Sequence, residues 1–357
     1  MFFSQHEVNT GRQYAVDMAK MFAIFFMVII HTFECGEADT ATGLGYFFDS
    51  IAGAEFAAPV FMFCMGIGLT FSRNNSAPTM ARRGLLLVLA GYLLNMAKAL
   101  PMLLLVPATG NTDYYADVIY ALTNVDILHF AGVAFLLLAL CKRQRVGLPG
   151  MMVLALLMSV TGSFIRKVDL GSFTLNLLGS LFIGIDTDLV RTDFPLLNWF
   201  IFVVAGYGFG RLLRRCTDCD RLYAILLPLT AVVYGAYAAY AIPRGLGIFG
   251  TCPQDFYHMN TFNMLICLVS ALLAISLCHF IAKYTPDAAM KSVTRICNDL
   301  TKIYVAQWIV IMWLVRAFMT EYMGWELSIG WLFVVGLVIL VLSIGWARVK
   351  PLSKLKI

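Results

Sequence analysis

A histidine with two glutamates close behind it ends the first long apolar run of the chain. Residues 27–37 read MVIIHTFECGE, and Glu34 follows His31 by about one helical turn. Ionisable groups in membrane helices are costly, and they usually face the protein interior or a water-filled cavity. An imidazole can serve as a general base or as a nucleophile, and a neighbouring carboxylate can fix its tautomer. We therefore take His31 and Glu34 as candidate catalytic residues.

Asp17 and Lys20 precede His31 on the same predicted helix. Fourteen residues separate Asp17 from His31, which leaves the two side chains about 40° apart around the helix axis. Together with Glu34 these residues form one polar stripe on an otherwise apolar helix, and the stripe predicts a cavity that runs through the protein. The alternative is interfacial anchoring by Asp17 and Lys20, with His31 satisfied by a neighbouring carbonyl group.

A second pair of titratable residues lies in NVDILHFAG. Asp126 and His129 are three residues apart and so share a helix face. At the same membrane depth as His31, they could complete an acid–base centre, and we add both to the catalytic candidates. A metal site is the alternative, but the sequence holds no HxxxH or HxH spacing, and we expect no metal.

Further polar residues stand inside apolar segments. The stretch KIYVAQWIVIMWLVR contains Gln307 and Arg316, and Lys98 lies deep in the third apolar run. An unpaired amide in hydrocarbon is costly, so Gln307 is expected to bind another helix or a ligand. Snorkelling to the membrane surface is the alternative for Lys98 and Arg316. These three residues and Glu55 are the candidates for substrate binding.

The composition identifies a polytopic membrane protein. Of 357 residues, 60% are hydrophobic and 13% are charged, and the mean hydropathy is +0.80. Apolar runs of about 20 residues recur along the chain, as transmembrane helices require. The sequence contains no basic run with interleaved aromatic residues, so it does not suggest a nucleic-acid partner. We predict a single all-α domain, 1–357, with ten spans near 14–33, 49–72, 84–106, 124–141, 148–165, 195–212, 222–242, 261–282, 299–318 and 328–347.

The segment 171–185 is short and interrupted by Gly and Ser, so it is either an eleventh span or a re-entrant segment. The distribution of charge decides between these topologies, because cytoplasmic loops carry an excess of Lys and Arg. With ten spans, basic residues such as Arg82, Lys142 and Arg214 fall on one side of the membrane and acidic loops fall on the other. Both termini are then cytoplasmic, 171–185 is re-entrant, and His31 lies near the outer face.

Several motifs resemble the heparan-α-glucosaminide N-acetyltransferase-like family of transmembrane acyltransferases. RQYAVDMAKMFAIFFMVIIH is similar to the first-helix motif of that family, with AKM where Arg-Gly is usual after the Asp. The other similar segments, in order, are AAPVFMFCMGIGLTFSR, ARRGLLLVLAGYLL, DILHFAG, DFPLLNWFIFVVAGYGFGRLL and NDLTKIYVAQW. Asn198 stands where a second Pro is usual in the family, and Gln307 stands where a His is common.

The resemblance implies acyl transfer across a membrane. Members take an acyl group, commonly acetyl, from a cytoplasmic coenzyme A thioester and deliver it to an amine or hydroxyl on the far side, often on a sugar. The histidine that matches His31 is the expected catalytic residue, as base or as acyl carrier. Gln307, Lys98 or a backbone amide could donate to the oxyanion. The coenzyme would be held at the cytoplasmic side by the candidates Arg12, Asp17, Lys20, Arg73, Arg82 and Arg83.

The remaining expectations concern partners and location. We expect acetyl-CoA or another acyl-CoA as donor, an extracytoplasmic glycan as acceptor, membrane lipids around the helices, and a homo-oligomer as an open alternative. The expected location is a bacterial inner membrane. The rival function is a secondary transporter, in which the polar stripe would carry protons or substrate.

Overall fold

The computed structural model describes residues 2–40, 43–53, 55–244 and 253–349. These residues form helices and isolated β-bridges without a β-strand, which confirms the predicted all-α class. The α-helices within the described ranges are α1 (Tyr14–Cys35), α2 (Gly43–Tyr46), α3 (Ala58–Phe71), α4 (Ala77–Thr109), α5 (Tyr114–Thr123), α6 (Ile127–Arg143), α7 (Leu148–Phe164), α8 (Phe173–Gly179), α9 (Leu196–Arg215), α10 (Cys219–Ala241), α11 (Thr261–Tyr284), α12 (Asp287–Asn298), α13 (Leu300–Val310) and α14 (Ile329–Ala347).

Seven helical segments among the described residues are long and apolar enough to cross a membrane. They are α1, α4, α9, α10 with its short extension to Arg244, α11, α13 with its continuation to Tyr322, and α14. The helices α3 and α7 are apolar but shorter, and α6, of 17 residues, coincides with the predicted span 124–141. The chain is therefore a multi-pass membrane protein, whereas the count of ten spans stays a prediction.

The segment 171–185 contains the seven-residue helix α8. Seven residues rise only about 10 Å, which is one third of the hydrocarbon thickness of about 30 Å. The re-entrant topology of 171–185 stays a prediction.

Helix α1 lies at the centre of the bundle. It packs against α3, α11, α12 and α14. Of its most apolar stretch of 18 residues, 67% is buried inside the protein. Its buried residues include Ala15, Ile24 and Phe33, so burial extends along the whole length of the helix. The residues of the polar stripe are therefore carried by the helix with the most helical neighbours, and few of its side chains are left to face lipid.

Glycines bring two pairs of helices into backbone contact. A Cβ atom on Gly66 of α3 would stand 2.1 Å from the Val203 carbonyl oxygen of α9, and one on Gly206 of α9 would stand 2.0 Å from the Phe63 oxygen. Small residues permit such close approach of membrane helices. Gly84 of α4 and Gly132 of α6 face each other in the same way. The α4–α6 contact fixes Lys98, on α4, relative to the start of α6.

Two irregular segments complete the framework of the site. Helix α13 continues without a break as a π-helical segment, Ile311–Tyr322, and π-helical geometry is frequent at functional sites. Residues 191–194 pair with the chain just before α6, because Val125 N donates to the Arg191 oxygen at 3.0 Å and Asp193 N donates to the Val125 oxygen at 3.0 Å. This pairing brings Arg191 and Asp193 next to Asp126.

Candidate active site

A cavity of about 380 Å³ lies at the end of α1 that carries His31. Helices α1, α4, α5 and α13 contribute to its wall, together with the π-helical segment, the start of α6 and the loop before α9. Its lining combines charged, aromatic and apolar side chains, which suits a ligand that has both polar groups and apolar faces. The lining residues are His31, Glu34, Cys35, Lys98, Met102, Asp117, Tyr120, Ala121, Asn124, Asp126, Arg191, Asp193, Phe194, Tyr257, Trp308, Met312 and Arg316.

His31 projects from the last turns of α1 into this cavity. Its side chain is 14% exposed, and Nδ1 lies 3.0 Å from Oε2 of Glu34, one turn further along. An ionised carboxylate can only accept, so this contact favours the tautomer with the proton on Nδ1 and the lone pair on Nε2. The arrangement equips Nε2 to accept a proton or to attack an electrophile.

Trp308 of α13 forms the floor beneath His31. The two ring centroids are 4.1 Å apart with an interplanar angle of 33°. The Lys98 ammonium lies 4.1 Å from the centroid of the same indole, as a cation–π contact. One aromatic side chain thus positions both the imidazole and a cation in the cavity.

Asp126 fixes Lys98 from the other side. Its Oδ2 accepts a hydrogen bond from the Tyr304 hydroxyl at 2.6 Å and lies 3.7 Å from Lys98 Nζ, while Oδ1 accepts from Ile127 N at 2.6 Å. Asp126 and Lys98 are both buried, so the ion pair and its hydrogen bonds compensate for lost hydration. Lys98 therefore ends inside the cavity and does not extend to the membrane surface.

Arg316 links three elements at the exposed side of the cavity. Its guanidinium contacts Glu37 at 2.5 Å and Glu321 at 2.5 Å, and the Tyr114 hydroxyl donates to Glu321 at 2.8 Å. The loop after α1, the π-helical segment and α5 are joined by these contacts. Arg316 thus lines the cavity as a member of a charged cluster.

His129 lies outside the cavity. Its Nδ1 accepts a hydrogen bond from the backbone N of Asp126 at 3.2 Å, which completes a capping box at the start of α6. The ring is fully buried and packs against Tyr92 and Gly91 of α4. The structure does not bring the two histidines into one centre, and a catalytic role for His129 has no support from its position.

Gln307 and Glu55 are also buried away from the cavity. The side-chain amide of Gln307 has no hydrogen-bond partner among the described residues. The Glu55 carboxyl group is buried, and its hydrogen-bonding neighbours are the side chains of Tyr234, Ser270 and Cys267. Of the four residues predicted to bind substrate, only Lys98 and Arg316 line the cavity.

The residues predicted to bind the coenzyme lie at the opposite end of α1. Asp17 accepts from Arg12 Nε at 2.5 Å, and Arg12 also donates to Asn298 of α12 at 3.0 Å. The ammonium of Lys20 lies beside Gly68 of α3. The remaining three are at the surface or close to it, Arg73 and Arg82 being exposed and Arg83 half-buried with a hydrogen bond to Ser72.

Sequence reasoning placed no site residue in the loop before α9. Arg191 Nε lies 3.3 Å from Asp193 Oδ1, and Asn124 Nδ2 donates to Asp193 Oδ2 at 2.8 Å. Burial raises the pKa of Asp193 to about 6, against the opposing effect of Arg191. Trp308, Tyr304 and Tyr257 were missed as well. The only sequence signal for this part of the site was the presence of Asp and Arg in DLVRTDF. That composition is also typical of an ordinary polar loop.

No metal site is evident in the described ranges. They contain no group of three or more His, Cys, Asp or Glu side chains arranged to hold an ion.

Comparison with known proteins gives one match. A family model described as heparan-alpha-glucosaminide N-acetyltransferase, catalytic, matches residues 12–234, which is more than half of the chain. No curated protein and no solved structure matches the chain. The matched range includes His31, Glu34, Lys98, Asp126 and Asp193, and it ends before Trp308 and Arg316.

Proposed function

Because the chain belongs to the heparan-α-glucosaminide N-acetyltransferase catalytic family and is a membrane acetyltransferase, we propose that His31 carries out the transfer. The donor in this proposal is acetyl-CoA or a related acyl-CoA, and the acceptor is a hydroxyl or amine of an extracytoplasmic glycan. The observation that carries the proposal is the placement of His31, paired with Glu34, in the charged cavity. The family match favours this function over a secondary transporter.

The chemistry follows from the tautomer of His31. Nε2 takes the proton of the acceptor hydroxyl or amine while the acceptor heteroatom attacks the thioester carbon. The carbon–sulfur bond then breaks, and the imidazolium returns the proton to the leaving thiolate. In the alternative sequence Nε2 attacks the thioester carbon, the carbon–sulfur bond breaks, and the coenzyme leaves as the thiolate. The acceptor heteroatom then attacks the acyl carbon, the carbon–Nε2 bond breaks, and the acceptor proton passes by way of Nε2 to the thiolate. In both sequences Glu34 stabilises the positive charge that forms on the ring.

Lys98 is suited to stabilise the negative charge that develops on the thioester oxygen. Its ammonium lines the same cavity as His31, and Trp308 contacts both groups. A preorganised cation in a site of low dielectric stabilises an oxyanion without reorganisation cost. This position supports Lys98 as the oxyanion donor, whereas the burial of Gln307 outside the cavity does not support Gln307 in that role.

The donor must reach His31 from the cytoplasmic end of α1. Asp17 and His31 are separated by about 21 Å along the helix axis. We place the coenzyme phosphates near the exposed Arg73 and Arg82 and the half-buried Arg83, because guanidinium groups bind phosphate oxygens well. The proposal includes ten spans with both termini in the cytoplasm, a bacterial inner membrane as location, and a homo-oligomer as an open arrangement.

The test uses purified protein in detergent, labelled acetyl-CoA and a panel of simple sugars. His31→Ala is expected to lower the transfer rate by about 10² to 10⁴-fold, the usual contribution of a general acid–base group. The matched control is His6→Ala, since His6 is exposed in the amino-terminal segment. Undiminished transfer by His31→Ala would overturn the assigned role, and a loss of the same size in His6→Ala would show a nonspecific effect.

A further inference from the structure

The cavity contains carboxyl groups for which the proposed chemistry has no task, and Asp193 is one of them. Asp193 lies in the loop before α9, and its backbone N–H donates to the Val125 oxygen at 3.0 Å. The neighbouring Thr192 forms a β-bridge with Val125 and donates its hydroxyl to the Ser180 oxygen at 3.0 Å. The backbone at Asp193 is therefore fixed to the start of α6, and its side chain reaches the cavity from a defined position.

The side chain of Asp193 is held by two donors and remains partly open. Asn124 Nδ2 donates to Oδ2 at 2.8 Å, Arg191 Nε lies 3.3 Å from Oδ1, and the side chain is 14% exposed. An ionised carboxylate only accepts, so the NH₂ group of Asn124 must face it. This orientation leaves the Asn124 oxygen buried without a partner, which is costly. The orientation of Asn124 that holds the Asp193 carboxylate therefore leaves the Asn124 side-chain oxygen without a hydrogen bond.

We propose that Asp193 is the acceptor-binding residue of this enzyme. Its carboxylate accepts a hydrogen bond from the attacking hydroxyl or amine of a sugar and holds that group towards His31. The inference rests on the proposed function and adds the side of the cavity at which the acceptor binds. Aromatic residues beside Asp193, namely Phe194 and Tyr257, supply apolar surface for the ring of a sugar.

The ionisation of Asp193 supports this role. Burial raises the pKa of Asp193 from 3.8 to about 6, so the carboxyl is about one-tenth ionised at pH 5 and about nine-tenths at pH 7. A carboxyl whose pKa is raised on folding contributes stability below about pH 4, and that contribution is lost as the pH rises through about 6. The ionised carboxylate of Asp193 therefore does not stabilise the folded protein at neutral pH. Binding of a ligand accounts for a carboxylate at this position. The charged and titratable groups that influence or neighbour it are Arg191 on its own loop, Lys98 on α4, Tyr120 on α5, Asp126 before α6, and Tyr257.

The experiment compares Asp193→Asn with the wild type and with Asp188→Asn, an exposed residue of the same loop, as control. Acetyl transfer is measured with D-glucosamine and with methyl glucoside as acceptors between pH 5 and 8. Asp193→Asn is expected to raise the KM for the sugar about tenfold, the effect of one charged hydrogen bond, and to leave the KM for acetyl-CoA unchanged. The wild type is expected to show a larger rise in kcat/KM for the sugar through about pH 6 than Asp193→Asn does, because only the wild type gains the Asp193 carboxylate in that range.

Different outcomes separate this inference from the proposed function. No transfer by the wild type to either sugar would overturn both. Wild-type transfer with an unchanged sugar KM and an unchanged pH profile in Asp193→Asn would overturn only the acceptor site. Thermal unfolding in detergent checks that the variant folds. Should Asp193→Asn not fold, Asp193→Glu replaces it. The inference would then be contradicted if kcat/KM did not rise with pH in the wild type or in Asp193→Glu.

Discussion

Asp126 shows how a single buried side chain organises the site. It accepts hydrogen bonds from Tyr304 and from the backbone of Ile127, and it pairs with Lys98 at 3.7 Å. These partners come from α13, α6 and α4. Removal of one partner of a buried ion pair leaves an uncompensated charge, whereas removal of both partners does not.

Lys98→Met therefore tests the coupling between these two residues. The single variant is expected to lose about 3 kcal/mol of stability, since Asp126 is left buried without its cation. The double variant Lys98→Met with Asp126→Asn is expected to recover part of that loss. Unfolding in detergent measures both, and strictly additive losses would contradict a direct interaction.

At the residue scale, sequence reasoning identified side chains by type but could not assign each to a face. It selected Gln307, while the adjacent Trp308, about 100° further round the helix, is the residue that lines the cavity. It paired His129 with Asp126 for chemistry, although the spacing Asp-x-x-His also fits a capping box. His31 and Glu34 were found because they share one helix and need no tertiary information.

At the scale of elements, the contact between α3 and α9 depends on glycine. Both Gly66 and Gly206 have backbone atoms of the partner helix where a Cβ would stand. A methyl group there forces the helices apart, because a backbone carbonyl cannot move aside alone. The α3–α9 pair is thus a rigid part of the bundle beside α1.

Gly206→Ala is expected to lower the stability of the protein by about 1–3 kcal/mol through overpacking. The matched control is Gly235→Ala in α10, where a Cβ would meet nothing within 4 Å. The control is expected to be neutral or to gain up to about 1 kcal/mol from helix propensity. Thermal unfolding in detergent decides, and equal behaviour of the two variants would contradict the packing argument.

The helices themselves were predictable because apolar length and polar breaks are local properties of the chain. Every predicted span overlaps a helix of the structure, but the span 49–72 is divided between a π-helical segment, Phe47–Gly53, and α3, which begins at Ala58. Membrane insertion is not thereby established for the shorter helices. The pairing of residues 191–194 with Val125 was not predictable. It is made by backbone groups, so it leaves no pattern in residue type. The acceptor side that we propose for the site depends on that pairing.

At the scale of the whole molecule, α1 connects two chemically different ends. Arg12 and Asp17 form an ion pair at one end, and His31 with Glu34 faces the cavity at the other. The neighbouring helices α3, α11, α12 and α14 surround the helix between them. A donor that enters at the first end and an acceptor that binds at the second would meet at His31. Under the proposed function, transfer therefore has a fixed direction across the membrane.

The most direct test is therefore to measure from which side of the membrane acetyl-CoA must be supplied and on which side the labelled sugar is formed. The protein is reconstituted in sealed vesicles of known orientation, with labelled acetyl-CoA on one side and D-glucosamine on the other. We predict labelled sugar only when acetyl-CoA is on the side of the chain termini, and none with His31→Ala. Equal transfer with the two compartments exchanged, or transfer that survives His31→Ala, would contradict the account.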